Sequence, residues 1–337
     1  MTADTHKVPV LVTGGAGYIG SHTVLALKDA GWTVVVLDDE SNGTRALVPD
    51  GVSYVKGSVA DRPLLQRLLA EQGIGAILHF AGSIQVAESV ERPLDYYANN
   101  TVATHALLSE AVAAGVPHFV FSSTAAIYGA PERLPIEEGD PKLPINPYGA
   151  SKWMTEQMLA DCARAYPFNY AALRYFNVAG ADPQLRSGQV GKSTTHIVKI
   201  ATQAALGQRP HVDVFGTDYP TPDGSCVRDY IHVSDLAAAH VAALKRLIAS
   251  PDESLMLNCG YGQGYSVIEV LDALDVVCQR KVPRRMGERR AGDPPQLVAS
   301  NRALVETLDW TPRYADIHQI ISDALAWERK LMDGALA

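Results

Sequence analysis

Val10-Leu-Val-Thr-Gly14-Gly15-Ala-Gly17-Tyr-Ile-Gly20-Ser21 reads as a strand, a glycine turn and the start of a helix, in that order. Gly14 lets the chain reverse, Gly17 lets the backbone approach a pyrophosphate, and Gly20 lets the helix pack closely on the strand. An anion placed there meets unpaired N–H groups and the positive end of the helix dipole. The next strand pattern, 33–37, delivers Asp38, 18 residues beyond Gly20. A carboxylate at that point accepts hydrogen bonds from both ribose hydroxyls and repels a 2′-phosphate, which selects NAD over NADP.

Outward from this unit, short apolar runs alternate with helical periodicity through the first half. Residues 8–12, 33–37, 53–56, 76–80, 118–122 and 170–175 read as strands. They are nearly continuous in apolar residues, as parallel strands covered on both faces are. Residues 19–30, 62–72, 101–114 and 149–165 read as helices between them. The alternation implies an α/β fold: a doubly wound parallel sheet of Rossmann type, with ligands at the carboxyl ends of its strands. After Asn177 the pattern changes, as Gly, Pro and polar residues gather in 177–195 and 216–226. A second, smaller α/β lobe is expected there, with a return to the sheet near 254–260 and helices at 267–279 and 317–332. The division is therefore 8–177, with returning segments near 226–260, for the NAD-binding domain, and 178–330 mainly for the substrate lobe.

Composition narrows the function. The chain has 337 residues, 47% apolar and 20% charged, which suits a soluble globular protein with a full core. Its net charge of −8 argues against a nucleic-acid partner, although local arginines can still hold a small anion. No apolar run approaches the roughly 20 residues that span a bilayer. Residues 1–7 are polar and lack the apolar stretch of a signal peptide. Cys162, Cys226, Cys259 and Cys278 are widely spaced, without a CxxC pair or a neighbouring His cluster. Reduced thiols, no metal centre, no membrane partner and a cytoplasmic location are the expectation.

Tyr148-Gly-Ala-Ser-Lys152 opens a helix and puts both functional side chains on one face. A Lys ammonium near a phenol stabilises phenolate and lowers its pKa, as a general base requires. The pair follows Phe119-Val-Phe-Ser122-Ser-Thr124, a strand ending in hydroxyls where the topology delivers an active site. Thr124 can orient a substrate hydroxyl beside Tyr148.

These motifs, with Arg174-Tyr-Phe-Asn177, resemble the extended short-chain dehydrogenase/reductase family. Val227-Arg-Asp-Tyr-Ile-His-Val233 and Arg290-Ala-Gly-Asp293 resemble its UDP-glucose 4-epimerase branch, and the likeness runs from residue 8 to about 330. The resemblance implies reversible C4 epimerisation of a UDP-hexose through a 4-keto sugar, with transient hydride transfer to tightly bound NAD. By that likeness Tyr148 is the base, with Lys152 and Thr124 beside it. Gly14, Gly17, Tyr18, Ile19, Gly20, Asp38, Asn42, Ser58, Val59, Phe80, Ala81, Gly82, Asn99, Ser122, Tyr148, Lys152 and Tyr175 then contact NAD. Thr124, Tyr148, Phe176, Asn177, His196, Val214, Phe215, Arg228, Tyr230, Arg290, Asp293 and Leu297 contact the UDP-sugar. A homodimer through 93–114 and 149–165 is also implied.

Four positions depart from the family pattern. Ser58 stands where a carboxylate usually holds the adenine, and Ile84 where a Lys usually meets the pyrophosphate. His196 takes the place of an Asn, and Leu297 that of a Tyr or a small residue at the sugar. An N-acetylated hexosamine or a pentose is therefore an alternative substrate. A nucleotide-sugar dehydratase needs an Asp-Glu pair after the catalytic Thr, where this chain has Ala125-Ala126. A non-catalytic NAD-binding protein would be expected to lose Tyr148 or Lys152.

Overall fold

The structure, a computed structural model, describes residues 8–190, 195–290 and 293–334. Residues 1–7, on which the signal-peptide expectation rests, and Ala291-Gly292 of the Arg290–Asp293 segment lie outside the described residues. The decisive stretch forms β1 (Val10–Thr13) and α1 (Tyr18–Asp29), followed by β2 (Val34–Asp38) and β3 (Ser53–Lys56). Helix α2 (Arg62–Glu71) leads to β4 (Ala76–His79). After α3 (Val86–Glu91), α4 (Pro93–Tyr96) and α5 (Ala103–Ala113) come β5 (His118–Thr124), α6 (Pro147–Ala165) and β6 (Asn169–Tyr175).

These strands and β10, below, form one parallel sheet in the order β3-β2-β1-β4-β5-β6-β10. Side chains alternate across it, so each strand feeds two cores. Val10 and Val12 pack with Val24, Leu27, Leu236 and Leu244 on one face. Leu11 packs with Leu65, Leu107, Phe119 and Leu159 on the other. Chain order reverses between β1 and β4, and the crevice outside their carboxyl ends receives the glycine turn.

Two details differ from the sequence reading. Residues 53–56 were expected to be apolar and covered, yet Ser53 and Lys56 are exposed, because β3 is an edge strand. The helix expected over 101–114 begins earlier, and a π-turn over Tyr97–Val102 joins α4 to α5. The wider turn leaves Asn99 exposed and Asn100 buried.

The second lobe contains β7 (Asn177–Ala179), α7 (Ile197–Ala205), β8 (Val212–Phe215) and β9 (Val227–His232). Helix α8 (Val233–Ala249) and β10 (Leu255–Cys259) return to the first lobe, α8 against α1 and β10 at the edge of the large sheet. Strand β11 (Gly264–Ser266), α9 (Val267–Cys278), β12 (Arg284–Gly287) and β13 (Gln296–Leu297) follow, then α10 (Arg302–Leu308) and α11 (Ile317–Met332). Strand β9 pairs with β7, β11 and β13, while β8 pairs with β12. Asp229, fully buried on β9, fixes this arrangement by accepting the backbone N–H groups of Tyr261, Gly262 and Ala299 at 2.9, 3.0 and 3.2 Å.

Candidate active site

The glycine turn is shaped from within. Gly14 has φ +70°, and a Cβ on it would lie 2.6 Å from the Ala81 nitrogen at the end of β4. A Cβ on Gly20 would lie 2.1 Å from the Gly14 oxygen. Gly17 differs: its Cβ would meet only the Gly14 oxygen at 3.2 Å, and otherwise open space. Gly17 is also the N-cap of α1, and the first helical bond runs from Ser21 N–H to the Gly17 carbonyl at 3.0 Å. The amides of Tyr18, Ile19 and Gly20 precede that bond and are available to an anion.

Asp38 borders the same space. Its two oxygens accept the amides of Ala16 at 2.9 Å and Glu40 at 2.8 Å. A carboxylate has about four acceptor sites, so two remain for a diol. Burial raises the Asp38 pKa, and the two amides oppose that rise. Every candidate NAD contact named above lines one cavity of about 360 Å³. An open cradle, amide donors and a diol-accepting carboxylate together fit a dinucleotide.

Tyr148 and Lys152 lie in the same cavity, both buried. Their helix starts cleanly, with Asn146 accepting the Gly149 amide at 2.8 Å and Pro147 in the first turn. Burial raises the Tyr148 pKa, and the Thr124 hydroxyl opposes that rise only in part, whereas the sequence reading expects Lys152 to lower it. The Lys152 ammonium instead donates to the Ser122 carbonyl at 3.0 Å and sits 4.9 Å from the Phe121 ring centroid. Burial lowers the Lys152 pKa to about 8. Tyr175 is hydrogen-bonded to Ser122 and completes the floor.

The candidate sugar-nucleotide contacts fall into separate groups. His196 lines the dinucleotide cavity, with its Nδ1 2.9 Å from Gln189 Nε2. Phe176 and Leu297 pack against Ala125, Tyr128 and Ile136, beyond Thr124. Leu297 is paired in register with Arg228, and Asn177 with Tyr230, so β9 carries two of the candidates. Arg228 Nη2 lies 3.8 Å from Asp293, and Arg290 Nε donates to Asp293 at 3.0 Å. The Arg290 guanidinium stacks 4.8 Å from the Phe215 ring centroid. Val214 and Tyr230 are buried in the core of the second lobe. Sequence reasoning missed Ser83, Gln85, Glu88, Gln189 and Thr195 in the cavity wall. None belongs to a motif; only the chain path brings them there.

The profile of the NAD dependent epimerase/dehydratase family matches residues 10–260, and the chain belongs to that family. The UDP-glucose 4-epimerase of Azospirillum brasilense is 54% identical over 332 residues, covering 98% of this chain and 95% of its own. A crystal structure described as UDP-glucose-4-epimerase from Stenotrophomonas maltophila, with bound NAD and formylated UDP-arabinopyranose, is 38% identical with a TM-score of 0.93. The match covers 97% of this chain and 99% of that one. The UDP-Glc/GlcNAc 4-epimerase structure from Campylobacter jejuni is 41% identical, with a TM-score of 0.84 over 96% of this chain and 99% of that one.

The two cofactor-side departures sit in the wall. Ser58 Oγ accepts the Ala60 amide at 3.1 Å, and Ile84 is 44% exposed in the cavity. A cation at 84 would add a charge-assisted contact to a diphosphate. Dialysed protein is therefore expected to lose part of its NAD, and Ile84→Lys to retain more. Nucleotide released on denaturation, measured by its absorbance, checks this; equal retention in both would refute it.

Proposed function

We propose that this protein interconverts the C4 epimers of a UDP-hexose, UDP-glucose and UDP-galactose first among them, with NAD as a resident cofactor. The observation that carries this reading is that buried Tyr148 and Lys152 share one cavity with the glycine turn. NAD, when bound along Gly14–Gly20 and Asp38, supplies a reversible acceptor for the C4 hydride. Tyr148 removes the 4-hydroxyl proton and later returns it. Thr124 orients that hydroxyl, and the Lys152 cation favours the phenolate.

Arg228, Arg290 and Asp293, with Phe215, anchor the UDP moiety; planar guanidinium groups suit its diphosphate. Tethered through the nucleotide alone, the 4-keto sugar turns and presents its other face. Proton and hydride both return to the sugar, so no outside oxidant is consumed.

Tyr148→Phe is expected to reduce turnover by about 100- to 10,000-fold while the UDP-sugar still binds. A group with its pKa lowered to about 8 loses its charge as pH climbs through that value. Wild-type turnover should therefore fall above pH 8, and the residual rate of Lys152→Met should lack that limb. Unchanged turnover in Tyr148→Phe, or the same limb in Lys152→Met, would remove these roles.

A second reading of the substrate rests on Leu297. Its apolar side chain, partly buried against Tyr128 and Ile136, offers no hydrogen bond and, being smaller than a Tyr, would admit a C2 N-acetyl group. Comparable turnover of UDP-glucose and UDP-N-acetylglucosamine is the expected outcome of a substrate panel that includes a UDP-pentose. No reaction with the acetylated sugar would reject the wider pocket.

The protein acts as a homodimer. Leu94, Ala98 and Val102 form an exposed apolar stripe, beside exposed Met154 on α6. Leu94 is 79% exposed and Val102 64%, a contiguous apolar surface that a second copy would cover. The four cysteines are free, as thiols are in the cytoplasm, where we place the enzyme. Sedimentation at micromolar concentration should give twice the 36.2 kDa chain mass, and Leu94→Asp should give the single chain. A monomeric wild type would overturn the dimer.

A further inference from the structure

Behind the catalytic face, β5 and α6 are joined at three successive points. Thr124 faces Tyr148, the Ser122 carbonyl accepts Lys152 Nζ at 3.0 Å, and Ser123 Oγ donates to Glu156. Tyr148, Lys152 and Glu156 are spaced i, i+4 and i+8, one face of the helix. Glu156 is only 3% exposed and is gripped by Arg174, itself 2% exposed. Arg174 Nε reaches its two oxygens at 3.0 and 3.2 Å, and Nη2 donates at 2.6 Å.

The contacts continue into the second lobe. Arg174 Nη1 donates to the Tyr128 hydroxyl at 2.8 Å, and Tyr128 donates to Asn258 Oδ1 at 2.7 Å. Asn258 Nδ2 donates to the Ile136 carbonyl at 2.9 Å. The Ile136 amide donates to Val298 at 2.8 Å, and the Ser300 amide donates back to Ile136 at 2.7 Å. Those partners flank the segment that carries Leu297 beside Arg228. An unbroken run of mostly buried hydrogen bonds therefore links α6 to β13.

Glu156, Arg174 and Ser123 are buried and do not line the cofactor cavity, so direct contact with the cofactor is not their part. A buried ion pair is also weak grounds for stability, since apolar residues of equal volume often hold a fold as well. What apolar residues lack is direction: the guanidinium fork fixes angle as well as distance. We infer that Glu156 and Arg174, with Ser123, are positioning residues for the reaction proposed above, on which this inference rests. They set the register of α6 on β5, hence the Tyr148–Thr124 and Lys152–Ser122 contacts, and tie that register to the Leu297 segment.

The test uses NAD-loaded full-length enzyme with UDP-glucose and the variants Ser123→Ala and Glu156→Gln. Ser123→Ala leaves the ion pair intact, so it decides the matter if Glu156→Gln does not fold. A misplacement near 1 Å costs about 100-fold in rate, so kcat should fall about 10-fold in Ser123→Ala and about 100-fold in Glu156→Gln. KM and bound NAD should stay unchanged. A second readout needs no turnover: the Tyr148 phenolate titration, taken as the absorbance difference from Tyr148→Phe, should move to a different pH in Ser123→Ala. Retained kcat and an unmoved titration, with only a lower thermal midpoint, would mark a purely structural pair and overturn the inference. Failure of the epimerase reading looks different: the wild type turns over no UDP-sugar, while the Ser123→Ala titration still shifts.

Discussion

The site depends on one close approach, that of the β1–α1 turn to the carboxyl end of β4. Gly14 and the Phe80–Ala81 peptide are near enough that a single added carbon would force them apart. That contact seats the turn in the crevice where the strand order reverses, and it aims the first amides of α1 into the cavity. Asp38 on β2 and Gly82 after β4 reach the same space from either side. The dinucleotide wall and the catalytic wall thus share β4 as a common support. Strand β5, paired with β4 along His118–Phe121, then delivers Ser122 and Thr124 at the right height.

Charge is handled differently in the two halves of the site. Around Tyr148 and Lys152 the surroundings are dry, and burial moves both groups away from their ordinary values. Dryness strengthens every dipole and proton acceptor there, which is what acid–base chemistry requires. Around Arg228, Arg290 and Asp293 the guanidinium groups are already paired with a carboxylate, and Phe215 backs one of them. In the proposed function a diphosphate bound there would compete with that carboxylate, and its anchor, on the second lobe, would stand apart from the base on the first.

Most of the first lobe was legible in the sequence. Strand and helix signals around Val10–Asp38 agreed with each other, and buried parallel strands announce themselves by continuous apolar runs. The reading failed where position, not composition, sets exposure. Ser53–Lys56 is a strand at the sheet edge, and nothing local says that it has one neighbour only. The π-turn at Tyr97–Val102 was invisible because an inserted residue leaves helical periodicity almost unchanged. The second lobe was read only in outline, since β7, β11 and β13 are two or three residues long and are held by β9 rather than by their own patterning.

The sequence by itself determined the glycine turn, the carboxylate at the end of β2 and the Tyr148–Lys152 spacing, because each is a local matter of backbone freedom or helical pitch. The tertiary structure alone decided what those residues touch. It buried the Tyr148 phenol, which raises its pKa against the opposing Thr124 hydroxyl, and turned Lys152 toward Ser122, since both outcomes follow from how α6 is set against β5. It brought Gln189, Thr195 and His196 from the second lobe to the cofactor cavity, across more than a hundred residues of chain. It also joined Glu156 to Arg174 inside the core, where the two meet because α6 packs back on β6 and β5.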